Sequence, residues 1–146
     1  MQTADFNLRS VLFVSIEPGE DVLECLERII EDKGILSATV LSAYGTFDRI
    51  NLHWVATTTF PPVEHYESND GPFEVLGIGG VIVDGTPHLH VTVSNRSGAY
   101  GGHLHKGCRV LYLFEMTIGL LSGPAMHREP IPEKKIQKLV IGEMSS

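Results

Sequence analysis

The chain has 146 residues, 42% hydrophobic and 20% charged, the make-up of a folded domain able to bury roughly two-thirds of its unfolded surface. Eighteen Asp and Glu against eleven Lys and Arg leave a net charge of −7, which opposes a phosphate-backbone partner. No stretch approaches the ~20 apolar residues of a membrane span, the start "MQTADFNLRS" has no cationic segment leading into an apolar run, and a cytoplasmic location is expected.

"LRSVLFVSIEPG" (8–19) is β-branched and aromatic and stops at Pro18-Gly19, so a strand is predicted there. The period then changes. In "EDVLECLERIIEDKG", Val22, Leu23, Leu26, Ile29 and Ile30 recur at helical spacing, acids crowd the first turn, and Gly34 supplies the stop. Cys25 falls on the buried face of this amphipathic helix. From residue 35 onward strand follows strand: "ILSATVLSAYG", "TFDRINLHWVAT", "EHYES", "FEVLGIGGVIVDG", "HLHVTVSN" and "CRVLYLFEMTIGLL". Connections too short for crossover helices imply antiparallel pairing, hence an α+β fold: a mainly antiparallel sheet with one principal helix near the N-terminus. The proline-containing tail ends in a short apolar run, Leu139 to Ile141, readable as a last edge strand.

Cys25 and Cys108 lack the paired spacing of a thiolate metal site or redox motif and are expected as buried thiols in a reducing compartment. The histidines are less evenly spread. "HLHVTVSNRSGAYGGHLH" (88–105) holds four of the chain's seven. On a strand, His88 and His90 share one face while Leu89, Val91 and Val93 take the other, towards a core. Their Cα atoms would lie about 6.5 to 7 Å apart, close enough for both rings to turn onto one ion. Gly101-Gly102 then permits the backbone angles or close approaches that deliver His103 to this pair. His105 follows two positions on. Three ligands leave zinc an open position for water or a small molecule, whereas His105 as a fourth closes the shell, and imidazole alone does not select the metal. His53, His65 and His127 stand isolated and read as surface or packing residues.

These blocks resemble a known family, the PPC domain, so called for its conservation in plants and prokaryotes. The likeness runs from about Leu8 to Leu121. It is carried by "ILSATVLSAYGTFDRINL", by "GPFEVLGIGGVI", and by H-L-H, ten residues, G-G-H (His88, His90, Gly101, Gly102, His103). It implies residues 1–146 as one domain, with a core of about 8–121 and an extension over 122–146, assembled as a homotrimer. It also implies that His88, His90 and His103 bind one divalent metal ion per chain, usually taken in such members to be zinc. Plant members carry an Arg-Gly-Arg-Pro-type AT-hook, absent here, and use a Gly-Arg-Phe-Glu-Ile-Leu stretch in partner contacts. The matching stretch here, Gly71 to Leu76, has Pro72 in place of the arginine.

The expected function is therefore that of a trimeric, zinc-binding protein of unassigned biological role. A metal-dependent enzyme acting on a small molecule through a metal-bound water is the alternative, with Glu74, Glu115 or His105 as acid/base candidates. A DNA-binding or regulatory role is the second alternative. Its best cationic cluster, Arg128, Lys134, Lys135 and Lys138, has no aromatic residue for base stacking, and DNA is not the expected partner. Trp54, Tyr44 and Tyr100 read as packing or subunit-contact aromatics. "GIGG" at 77–80 lacks the dinucleotide spacing.

Overall fold

The computed structural model describes residues 1–142. Its elements run β1 (Asn7–Ile16), α1 (Val22–Lys33), β2 (Ser37–Val55), β3 (Glu64–Val83), β4 (Thr86–Asn95), β5 (Gly98–Leu104), β6 (Arg109–Ser122), β7 (Met126–Ile131) and β8 (Ile136–Ile141). Every strand pairing is antiparallel. The α+β expectation holds, with α1 the single helix among the described residues. No helix there is long and apolar enough to cross a membrane.

Both ends of α1 are capped, the C-terminal one by the glycine that the sequence marks as its stop. The Asp21 carboxylate accepts from the Glu24 N–H at 2.9 Å. Gly34 adopts the left-handed conformation (φ 60°) and its N–H donates to the Glu31 carbonyl, closing the C-terminal turn. Val22, Cys25, Leu26 and Ile30 face inward onto a core that includes Ile16, Phe47, Val110, Phe114 and Ile118. Phe47 and Phe114 stack there with ring centres 5.7 Å apart. Cys25 and Cys108 are both buried and free, as expected from their spacing.

The main sheet has the order β1-β6-β2-β3-β4-β5, and β5 turns back to pair with β2 as well. Two of its strands are longer than their sequence pattern. "ILSATVLSAYG" and "TFDRINLHWVAT" fuse into β2, because register shifts near Val40/Ser42, Gly45/Phe47 and Phe47/Arg49 bend the strand without ending it. "EHYES" and "FEVLGIGGVIV" fuse into β3 in the same way. The β3–β4 hairpin turns on Asp84-Gly85, both at positive φ (48° and 74°), the conformation that matches the twist of flanking strands.

The tail departs from expectation. The run at Leu139–Ile141 belongs to β8, which pairs with β7 in a separate two-stranded sheet rather than edging the main one. The last four positions of the 122–146 extension lie outside the described residues.

On β4, Leu89, Val91 and Val93 are 1%, 2% and 0% exposed, while His88 and His90 turn outward. A one-residue slip would expose all three apolar side chains at about 1.5–3 kcal/mol each, so the histidine face is locked. Of the two roles open to Gly101-Gly102, special backbone angles or close approach, the structure shows close approach. The chain reverses at Arg96-Ser97, where Asn95 Oδ1 accepts from the Ser97 N–H at 2.8 Å. Gly101 and Gly102 sit inside β5, where a Cβ would come within 2.1 Å of the Val91 carbonyl oxygen and 2.5 Å of that of His53. Bare backbone lets β5 press against β4 on one side and β2 on the other.

Gly102→Ala is therefore expected to lower stability by about 1–3 kcal/mol in denaturant titration. Gly77→Ala, where a Cβ meets nothing within 4 Å, is expected to stay within about 0.5 kcal/mol of the parent. Equal midpoints for the two variants would contradict the close approach.

Candidate metal centre

Because β5 pairs on both edges, His103 lies opposite His90 on β4 and opposite His53 on β2. The period-two alternation of each strand adds His88 beside His90 and places His105 two residues beyond His103. Five imidazoles thus gather on one surface.

His88, His90 and His103 each bring a ring nitrogen within 4.8 Å of the others. His88 Nε2 and His90 Nε2 are 3.2 Å apart. Nitrogens bound to one tetrahedral zinc at 2.0–2.1 Å lie about 3.3 Å apart, with ring centres about 5 Å apart. The three ring-centre separations here are 4.7, 5.3 and 5.4 Å. The donors therefore fit a transition-metal ion with little more than ring rotation.

Burial supplies the protonation state such an ion requires. The His103 pKa is pushed from 6.5 down to about 4, first by loss of solvent and then by the neighbouring histidines. His88 is lowered by burial and by the Arg128 charge, and His105 by burial and by His53. At neutral pH these rings are uncharged, and each has one nitrogen with a free lone pair.

The pattern of the sequence missed two members of this surface. His53, which read as isolated, stacks on His103 with centres 4.7 Å apart, and its Nδ1 lies 2.6 Å from His105 Nε2. Glu64 Oε1 is 3.7 Å from His53 Nε2, and the Tyr66 hydroxyl donates to Glu64 Oε2 at 2.6 Å. That hydroxyl is the main reason the Glu64 carboxyl sits below its ordinary range. The only signal for these residues lies in the pairing of β2 with β3 and β5, which local periodicity does not contain.

The acid/base candidates fare differently. Glu115 accepts from the Tyr44 hydroxyl, nine positions along β2 from His53, and Glu74 pairs in register with Ser94. Neither joins the histidines; His105 does. Tyr100 packs edge-on against Phe73, with centres 6.4 Å apart. Trp54 packs at a tilt against His65, with ring centres 4.8 Å apart, and borders a shallow groove with His53, Val55, Thr92 and His103. His65 and His127 stand beside Glu67 and Glu129 at 3.8 and 3.2 Å, away from the cluster. A larger depression beside α1 contains Arg28, Arg49 and Arg109, but these cations are matched by Glu20, Asp70 and Asp48 at 3.2, 3.0 and 2.8 Å.

The model of the Plants and Prokaryotes Conserved (PCC) domain matches residues 4–122. The fold is similar to that of a metal-containing protein from Archaeoglobus fulgidus: TM-score 0.81, 22% identity, 96% of this chain and 99% of that one. A plant- and prokaryote-conserved protein from Pyrococcus horikoshii aligns at TM-score 0.77 and 23% identity, over 100% of this chain and 99% of that one. A Bacteroides thetaiotaomicron protein, provisionally described as DNA-binding, aligns at TM-score 0.79 and 18% identity over 96% and 99% of the two chains. In sequence, the chain is 29% identical over 116 residues to the bifunctional protein GlmU of Synechococcus sp. (strain JA-2-3B'a(2-13)); the match takes in 79% of this chain but 17% of that relative's length.

A depressed histidine pKa makes the metal-free fold acid-sensitive. Below pH 6.5 the unfolded chain takes up the His103 proton before the folded chain does, so stability falls with pH until the folded group protonates near 4. In a chelator-containing buffer, the denaturation midpoint is expected to decline over that window, and His103→Gln to make the decline shallower. The same slope in both proteins would contradict the burial of this ring.

Proposed function

The chain belongs to the Plants and Prokaryotes Conserved (PCC) domain family, and on that footing we propose that it is a homotrimeric protein that binds one zinc ion per chain through His88, His90 and His103. The observation that carries this reading is the convergence of three half-buried or exposed imidazoles at separations suited to one tetrahedral ion. The description of the Archaeoglobus relative as metal-containing supports it. Bound there, zinc would supply a Lewis acid to a small polar ligand. The chain's own part is to hold three neutral nitrogens in place and to leave a groove, bordered by Val55, Thr92 and Gly101, for that ligand.

Residues 1–146 are read as one domain with its core over about 8–121 and an extension over 122–146. In support of this reading, β7 and β8 hydrogen-bond only with each other among the described strands. Trimer formation is supported by apolar side chains left on the outer face of β1, β6 and β2. Phe13 is 71% exposed, and Leu8, Val11, Leu41 and Tyr44 are each 50% or more exposed. A surface of this kind gains about 25 cal/mol per Å² when another subunit covers it. A DNA-binding role draws less support: Lys138 pairs with Glu129 at 3.1 Å and Lys134 lies over the Phe60 ring, so the cationic stretch is partly occupied.

Two measurements test the reading. Because His105 stands beside His103, zinc titration is best done on His105→Leu, which keeps the three proposed ligands. It is expected to saturate at one ion per chain, with the Kd rising at least a hundredfold when His90→Ala is added. No binding, or an affinity indifferent to residue 90, would overturn the assignment. For the assembly, sedimentation equilibrium is expected to give three times the monomer mass, and Phe13→Glu to shift it towards the monomer. A parent protein that sediments as a monomer would contradict the trimer.

A further inference from the structure

The histidines outside the first set are themselves arranged as ligands. His53, His103 and His105 bring ring nitrogens within 4.8 Å of one another, and their ring centres are separated by 4.7, 4.8 and 5.1 Å. These values bracket the spacing of about 5 Å that imidazoles adopt around one tetrahedral ion. We infer that His53, His103 and His105 form a second transition-metal site, with His103 common to both sets.

The surroundings favour one presented nitrogen for His53. The Glu64 carboxylate lies 3.7 Å from His53 Nε2, so it draws the ring proton to that side and leaves Nδ1 with its lone pair. That Nδ1 is the atom facing His105 Nε2 at 2.6 Å. Tyr66 in turn holds Glu64 through a 2.6 Å hydrogen bond from its hydroxyl. A carboxylate behind a ligating histidine is the usual outer support of such sites: it orients the ring and raises its basicity.

Charge separates the two sets further. The second set has the ionised Glu64 at its back, whereas the first has the Arg128 charge near His88. Both features come from strands other than β4, since Glu64 and Tyr66 lie on β3 and Arg128 on β7. Without an ion, His105 Nε2–H donates to His53 Nδ1. With an ion, the His105 proton moves through solvent from Nε2 to Nδ1, both facing nitrogens then turn lone pairs onto the metal, and this needs an opening of about 0.7 Å to reach the edge length of a tetrahedral zinc or cobalt shell.

The test is Co(II) titration, followed through the intense visible absorption of tetrahedral cobalt, on His88→Ala/His90→Ala, which lacks both residues exclusive to the first set. This variant is expected to saturate at one ion per chain. Adding His53→Ala and His105→Leu is expected to abolish the absorption, with circular dichroism checking that the fold persists. Should that combination unfold, His105→Gln as the one change added to His88→Ala/His90→Ala, close in volume to the residue it replaces, is expected to raise the Co(II) Kd at least tenfold. No cobalt binding by the His88→Ala/His90→Ala protein, or binding indifferent to residues 53 and 105, would overturn the inference. Either failure leaves the first site untouched, because the His105→Leu protein tests that site alone.

Discussion

The pairing of β5 along both of its edges is the constraint on which the histidine surface depends. A strand that met only β4 would place His103 beside His90 and leave His53 remote. By also meeting β2, β5 aligns His90, His103 and His53 in a row across three strands. The row exists because residues 101 and 102 have no side chains, so carbonyls of Val91 and His53 occupy space that any Cβ would claim. The register is held from the other face of β4, where Leu89, Val91 and Val93 cannot leave the core without the loss of several kcal/mol. Packing beneath the sheet thus decides the chemistry above it.

Electrostatics works in the same direction. Partly buried imidazoles crowded together repel one another's protons, and the ring at the centre of the row, His103, is the one pushed furthest, to about 4. A cluster of this kind suits a cation that replaces protons as the shared partner of the nitrogens. Around it the charges are not symmetric: Glu64 and Tyr66 stand behind His53, and Arg128 lies towards His88. The two halves of the cluster therefore offer different environments to the same type of ion.

Much of this was legible in the sequence, for reasons that differ by element. The α1 stop at Gly34 is local chemistry and is legible in the sequence, as is the buried face containing Cys25, whereas the capping role of Asp21 is seen only in the structure. The outward pairing of His88 and His90 followed from strand alternation alone. The nearness of His103 to them is also legible, and of the two roles open to Gly101 and Gly102 the structure shows the close strand contact, with the chain reversing at Arg96-Ser97. His53 and Glu64 were not legible, because their positions depend on which strands pair and in what register. The continuity of β2 and β3 was hidden in the same way, since bulges and internal Gly, Pro and Asp residues resemble strand ends in a linear reading.

The most direct measurement is a crystal structure of zinc-loaded protein with diffraction recorded on both sides of the zinc absorption edge. Convergence of the three imidazoles on one ion predicts an anomalous peak about 2.0–2.1 Å from a ring nitrogen of each of His88, His90 and His103. Rings of these three residues pointing apart, with no anomalous density between them, would contradict it.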